Sequence, residues 1–169
     1  MPTFDSIQSY TISGTSTNQV TFSSFSGYTD LVLVIMGQNT SGNAYPYLQF
    51  NGDTGNNYQT YASAATTTLG AGNGYNPTNE LYLSNFIGGL EATNFNWGSI
   101  THIVNYSSTS RRKTSITQAG KVVSGNAYVE TSTGSWRNTS AITSIKVALQ
   151  GSNIWFAGST ISLYGILAA

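Results

Sequence analysis

The chain has no cysteine, few charged residues and a single histidine, and each shortage excludes a class of site. Without cysteine, neither disulfides nor thiolate metal sites can form. Charged residues make up 7% of the chain, against about 25% in an average globular protein. A hydrolytic triad would have to use His102, which stands in a predicted strand between apolar neighbours, with no nucleophile motif beside it. We therefore expect no enzymatic activity and no metal or other cofactor.

Long hydrophobic runs are missing as well. The longest, residues 31–36, is far too short to cross a bilayer, so we expect no membrane partner. The start of the chain, residues 1–5, has neither the basic nor the apolar region of a signal peptide. We therefore expect that the chain is not exported by a classical signal.

Net charge is zero, from 6 basic and 6 acidic residues, and gives no sign of a nucleic-acid partner. The charges are unevenly spread along the chain. Residues 1–110 carry a net −5 and residues 111–169 a net +5. Two oppositely charged surfaces could pair across copies of the chain. Alternatively, the strands interleave in space and the asymmetry disappears on folding.

Aromatic residues are plentiful, and 11 Tyr, 7 Phe and 3 Trp argue against a disordered chain. Short strand signals recur along the sequence, with Gly, Ser, Thr and Asn between them. We predict strands at residues 4–13, 19–25, 31–36, 44–50, 81–87, 97–106, 142–150 and 160–166, with weaker signals at 113–119 and 127–131. The continuously apolar run 31–36 predicts a central strand covered on both faces. The Gly/Asn/Pro-rich segment 70–79 predicts a long exposed loop.

This pattern predicts an all-β fold, a single antiparallel β-sandwich over residues 1–169, since no stretch has a helical period. We favour a jelly roll over an immunoglobulin-like sandwich. The chain is long for the latter and lacks its Cys–Trp–Cys core.

A structural turn is predicted by the polar and glycine residues that follow the strand ending at residue 50. Its members are Asn51, Gly52, Asp53, Gly55 and Asn57. Asp and Asn side chains there can bond the local backbone, while a Gly takes a positive φ. The alternative is part of a calcium loop, but the closing bidentate Glu of such a loop is missing.

One basic cluster, Arg111, Arg112 and Lys113, is the candidate partner-binding site. It could dock on an acidic protein surface, or it could be a solvated hairpin end that discourages edge pairing. Contact with nucleic acid is disfavoured because neither interleaved aromatic residues nor further basic residues accompany it.

Two further sets of residues have a possible chemistry and a simpler structural interpretation. The carboxylates Glu80 and Glu91 could act as a pair on a glycoside, but nothing marks them as more than surface charges near turns. Aromatic side chains could stack on sugar rings or anchor a protein interface, or could simply be core. The candidates for stacking are Tyr58, Tyr61, Tyr75 and Trp136.

Two segments resemble a group of small tailed-phage proteins. Residues 48–58 form an apolar strand followed by Asn-Gly-Asp, small residues and Asn-Tyr. Residues 156–166 include a Ser-Leu-Tyr-Gly-Ile strand like those that end many members of the group. The strand at 142–149 and the pair at 105–106 fit the same layout, so the resemblance runs from about Tyr28 onward.

The group is similar to jelly-roll virion proteins, including head decoration (cement) proteins and domains of tail fibres. The resemblance implies a structural component of a bacteriophage virion, made in the host cytoplasm and placed on the particle surface. Its implied partners are its own copies, as a homotrimer, and other virion proteins, above all the major capsid protein. With Met1 first and Ala169 soon after the last strand, we expect one whole gene product of a single module. The alternative is a small tail or fibre protein that binds host-surface carbohydrate.

Overall fold

The computed structural model describes residues 3–14, 17–40, 43–65, 72–84, 90, 97–123 and 125–167. Within these ranges the regular structure consists of strands, and no segment is helical. The strands form two antiparallel sheets, one of 8 strands and one of 4. Their inner faces pack on each other around one apolar core. The predicted all-β antiparallel sandwich is confirmed.

The strands take the following bounds. They are β1 Thr3–Thr11, β2 Gln19–Ser23, β3 Asp30–Gly37, β4 Pro46–Phe50, β5 Tyr58–Ala65, β6 Gly72–Thr78, β7 Leu81–Tyr82, β8 Trp97–Val104, β9 Lys113–Val123, β10 Asn126–Trp136, β11 Ser144–Leu149 and β12 Thr160–Leu167.

The chain passes back and forth between the two sheets. The larger sheet has the order β1-β12-β3-β8-β9-β10-β5-β6, and the smaller has the order β2-β11-β4-β7. One half of the larger sheet consists of β1, β12, β3 and β8. Along the chain, these four strands are interspersed with the strands of the smaller sheet. The other half consists of two antiparallel pairs, β9 with β10 and β5 with β6, which join through β10 and β5. These two pairs double the width of the larger sheet.

The strand β3 is interior to the larger sheet, but only one of its faces is covered. Leu31, Leu33 and Ile35 are fully buried against the smaller sheet. Val32 and Val34 point to the other side and are half-buried, and Met36 on that side is 58% exposed. The prediction that both faces are covered is therefore wrong for a single chain. Its outer face is apolar and open.

The segment predicted as a long loop forms the edge strand β6, so that prediction is wrong. β6 pairs with β5 and has no neighbour on its other side among the strands of the described residues. An edge strand tolerates Pro77 because a missing N–H on the free side costs no ladder hydrogen bond. Residues 70–71 of the predicted loop lie outside the described residues.

The predicted turn after β4 is confirmed. Asn51 and Gly52 both have positive φ, 54° and 68°, and the Asp53 N–H donates to the Phe50 carbonyl at 2.9 Å. Positive φ at both central positions is the geometry that an Asn-Gly pair favours. The Asn51 amide also donates to the Ala141 carbonyl at 2.7 Å and accepts from the Thr143 N–H at 2.8 Å. The turn thereby fixes the entry of the chain into β11.

Replacing Gly52 with Val should destabilise the fold by roughly 1–3 kcal/mol, because a β-branched residue is strained at this positive φ. Urea unfolding followed by tryptophan fluorescence measures the change. Thr54→Val, at an exposed position of the same turn, should leave the free energy of unfolding unchanged. Equal stability of the two variants would contradict this account of the turn.

Candidate interaction surface

The usual alternation of side chains is reversed on β9. Its inward side chains are mostly polar and buried, among them Ser115, Thr117 and Lys121. Its outward side chains include Ile116 and Val122, which are 47% and 49% exposed. A strand with one buried face normally turns its apolar residues inward. β9 therefore presents an apolar face to the outside of the sandwich.

Hydrogen bonds satisfy part of the polar layer beneath this face. The Thr101 and Thr117 hydroxyls are 2.9 Å apart across β8 and β9. On β10, the Ser132 hydroxyl donates to the Leu83 carbonyl at 3.3 Å. The buried Glu130 carboxylate accepts from the Ser84 hydroxyl at 3.1 Å. Because buried polar groups need partners, these bonds hold the inward register and commit the neighbouring residues to the outside.

The outer face of the larger sheet carries almost all the large apolar side chains that are exposed in the described residues. The strand registers place Phe4, Met36, Tyr61, Ile100, Ile116, Val122 and Val129 on it. Phe156 is exposed elsewhere. Half-buried Val32, Val34, Tyr164 and Ile166 join them on the same side. We call this surface the outer face.

Formal charge is nearly absent from the outer face as far as the structure describes it. Asp30 and His102 form the exception, with Oδ2 and Nε2 3.6 Å apart at one end of β3 and β8. Asp30 also accepts the Asn105 N–H through Oδ1 at 2.8 Å. His102 lies on the side of β8 that carries Ile100 and Val104, as predicted. The 3.6 Å separation between Asp30 and His102 is longer than a hydrogen bond.

A slot runs across the outer face where two strands carry glycine. Gly98 on β8 is paired with Gly120 on β9, with Met36 next to one and Val129 next to the other. Neither glycine has a positive φ, and a Cβ would meet its nearest atom at 3.7 Å on Gly98 and 3.5 Å on Gly120. These are ordinary contact distances, so packing within the chain does not require glycine at either position. Glycine inside a strand often marks close approach of another group.

The structure divides the predicted basic cluster. Arg111 and Arg112 are exposed in the loop between β8 and β9. Lys113 is 1% exposed, and its ammonium donates to the carbonyls of Ser108, Arg111 and Thr139 at 2.7, 2.7 and 3.0 Å. Burial lowers the pKa of Lys113. The prediction that Lys113 binds a partner is therefore wrong, since its role is to hold the loop that presents Arg111 and Arg112.

A third arginine lies at this end of the sheet. Its distance from the other two in the sequence does not indicate that position. Trp136, the last residue of β10, pairs with Lys113, the first residue of β9. Arg137 follows directly and is exposed, so it lies at the same sheet end as Arg111 and Arg112. We call these three arginines the basic end. The signal that could have shown it is strand pairing, which brings residues 112 and 137 side by side.

The turn residues form a closed network rather than a metal site. Asp53 accepts the Trp136 indole N–H at 2.7 Å, the Gly55 N–H at 2.9 Å and the Asn57 amide at 3.0 Å. Burial alone would raise the pKa of Asp53, but the bonds from Trp136, Gly55 and Asn57 together outweigh it and lower that pKa. Three donors surround the carboxylate, which is the wrong polarity for a cation. The described residues contain no group of three or more metal-ligating side chains of the His, Cys, Asp and Glu types.

Two of the four aromatic residues proposed for sugar stacking are core. Tyr58 and Trp136 are 0% and 1% exposed, with stacked rings 6.4 Å apart, so the stacking prediction is wrong for both. The Tyr58 hydroxyl accepts the Phe50 N–H at 2.9 Å and donates to the Asp53 carbonyl at 3.0 Å. Tyr61 is 60% exposed on the outer face. The side chain of Tyr75 lies outside the described residues.

The two carboxylates considered for glycoside chemistry are not seen together. Glu80 is half-exposed between β6 and β7, and Glu91 lies outside the described residues. Among the described residues, no helix is long and apolar enough to span a membrane.

Comparisons with protein-family models, with curated proteins and with solved structures found no match for this chain. The interaction surface is therefore interpreted from its own chemistry.

Replacing Asp53 with Asn should lower the melting temperature at pH 7, because the indole of Trp136 and the Gly55 N–H lose a charged acceptor; we expect a cost of about 1–2 kcal/mol. A carboxyl whose pKa is lower in the folded chain stabilises the fold above its unfolded value, near 3.9. The wild-type advantage should therefore shrink as the pH falls below about 4. Asp5→Asn, on an exposed residue, is the control. If the difference in melting temperature between wild type and Asp53→Asn were as large at pH 2 as at pH 7, the charged Asp53 carboxylate would not be what stabilises the turn.

Replacing Lys113 with Met should cost roughly 1–3 kcal/mol, because carbonyls that the ammonium now satisfies would lose their donor. Arg112→Met, one residue earlier but exposed, should change stability little. Chemical denaturation of both variants checks this. If Lys113→Met is as stable as Arg112→Met, the ammonium does not hold the loop.

Proposed function

We propose that the chain is a non-enzymatic structural component of a bacteriophage particle, most simply a head decoration (cement) protein that stabilises the capsid by oligomeric docking. The observation that carries the proposal is the apolar, nearly uncharged outer face. Monomeric soluble proteins rarely expose large contiguous apolar surfaces, and those that do use them to bind partners. On β9 the apolar side chains point outward and most polar ones point inward. This arrangement keeps the outer face apolar and places a polar layer in the interior. Assembly is the function that such an arrangement serves.

The order of strands supports a jelly-roll interpretation of the sandwich. Setting aside the two added pairs, the order β1-β12-β3-β8 faces the order β2-β11-β4-β7, and the chain changes sheet after every strand except between β4 and β7. This order supports the proposal of a jelly roll, a double-sheet architecture that recurs in viral capsid and lectin domains. The two added pairs then become insertions that widen one sheet. Much of the outer face lies on these insertions, which suits a surface acquired for assembly.

The basic end is the proposed contact with the head. Arg111, Arg112 and Arg137 are exposed together, and Lys113 fixes the loop of the first two. Guanidinium groups bind carboxylates in bidentate geometry, so an acidic region of the major capsid protein is the partner of matching chemistry. The particle surface is accordingly the proposed location.

A second candidate is a small tail or fibre protein that binds host-surface carbohydrate. One observation favours it, the exposed ring of Tyr61. A Cβ on Gly74 would meet this ring at 3.4 Å, so the ring lies over a strand position without a side chain. An exposed aromatic face of this kind can stack on a sugar.

The test is binding to purified heads that lack the protein, at low and high salt. Wild-type protein should bind, and binding should weaken as salt rises because exposed charges are screened beyond about 10 Å at 0.1 M. Arg111→Glu should bind more weakly than Lys146→Glu, which makes the same charge change on the smaller sheet. Arg111→Glu combined with Arg112→Glu should abolish binding while the melting temperature stays that of the wild type.

Two results would count against this role. Equal head binding by wild type and the double variant at both salt concentrations would remove the basic end from the mechanism. Binding of the wild type to host cells but not to heads, with loss on Tyr61→Ala, would transfer the proposal to the carbohydrate-binding alternative.

A further inference from the structure

We infer that the outer face is the interface between two copies of this chain, packed sheet against sheet about a two-fold axis. The inference rests on the proposed function for the premise that a partner covers the outer face. It deepens that proposal by naming the partner.

The area of the face matches what a stable interface needs. Strands about 4.8 Å apart make a sheet of 8 strands roughly 38 Å wide. Its strands have 7 to 11 residues, which makes the sheet roughly 27 Å long. The product is roughly 1,000 Å². Specific interfaces bury about 800 Å² on each partner, about a tenth of a small protein's surface. The accessible surface of the chain is 7975 Å². A tenth of this surface is about 800 Å², and the outer face is large enough to bury that area.

The charge of the face permits a copy of itself as the partner. In a two-fold interface each residue meets the same surface, so like charges near the centre would repel. The described part of the outer face carries the Asp30–His102 pair at one end and no other formal charge. The exposed arginines Arg111, Arg112 and Arg137 lie at the sheet end, outside it. The face therefore approaches its own copy without electrostatic cost at its centre.

The distribution of apolar side chains indicates that the outer face of one copy is covered by the outer face of the other. If two copies associated head to tail, the outer face would cover a different surface on the neighbour, which would itself need to be apolar. Among the described residues, Phe156 is the one large apolar side chain that is exposed away from the outer face. The apolar partner surface that the described residues offer is thus the outer face itself. Facing sheets in sandwiches pack in this way, about 10 Å apart.

The glycine slot supplies the place where the two copies interlock. It lies two residues from Ile100 on β8, the fourth strand in the order of 8, and so midway across the strand order. Gly98 and Gly120 leave it open although a Cβ at either position would make only ordinary contacts within the chain. An apolar side chain of the second copy fills such a slot with dispersion contacts that water cannot make. Close approach of a second copy is therefore a role for these two glycines that packing within the chain does not supply.

Sedimentation of the purified chain, without heads, tests the inference. At tens of micromolar the wild type should have the mass of two chains of 18.0 kDa. Ile100→Lys with Ile116→Lys should raise the dissociation constant at least about a hundredfold, because each charge is buried twice in the interface. Gly98→Val should also weaken association while the single chain keeps its fold, since the slot has room for the side chain. Thr21→Lys, on an exposed strand position of the smaller sheet, should remain dimeric.

Cross-linking keeps the test decisive if the lysine variant does not fold. The chain has no cysteine, so Ile100→Cys introduces the only thiol. A short bismaleimide should join two Ile100→Cys chains in high yield and two Thr21→Cys chains in low yield. Equal yields, a monomeric wild type or a wild-type mass of three chains would each overturn the face-to-face pairing. Because no heads are used, loss of head binding by the arginine variants and loss of pairing by these variants are separate results.

Discussion

Side chains along β9 and β10 point alternately inward and outward, and this two-residue alternation determines the composition of both faces of the larger sheet. Once Thr117, Ser132 and Glu130 are held inward by hydrogen bonds, their neighbours must point outward. Those neighbours include Ile116 and Val129, so a partly hydrogen-bonded polar interior and an apolar exterior follow from one register. A shift by one residue would bury the apolar set but would leave the hydroxyls and the carboxylate in water. The outer face is thus a consequence of how the larger sheet is built.

The part of the fold that obeys the ordinary pattern could be predicted from the sequence. The strands around Leu31, Ile145 and Leu163 have apolar residues that face the core, and the Asn51–Gly52 turn follows from local chemistry alone. The signals at β9 and β10 were weak because their alternation is reversed and their apolar residues are diluted by Gly, Ser and Thr. β6 was missed because Gly and Pro are read as loop residues, although a sheet edge accepts them.

The interaction surface needed the register of the strands. Three consecutive basic residues in the sequence predict a solvated cluster, yet Lys113 alternates inward with β9 and meets carbonyls from two loops. Tyr58 and Trp136 have the polar tips of surface aromatics, but both tips find partners around Asp53, so both rings can be core. Arg137 is 25 positions from Arg112 in the sequence and becomes its neighbour only through the pairing of β9 with β10. None of these contacts has a local signal.

If another copy of the chain covers the outer face, hydroxyl-radical footprinting of the unmodified protein will detect the covered side chains. Met36 is on the face and 58% exposed in the single chain, while Phe156 is exposed elsewhere. We predict that oxidation of Met36 falls several-fold as the protein is concentrated through its association midpoint, while oxidation of Phe156 stays constant. Oxidation of Met36 at the same rate in dilute and concentrated protein would show that the face stays open and would contradict the account.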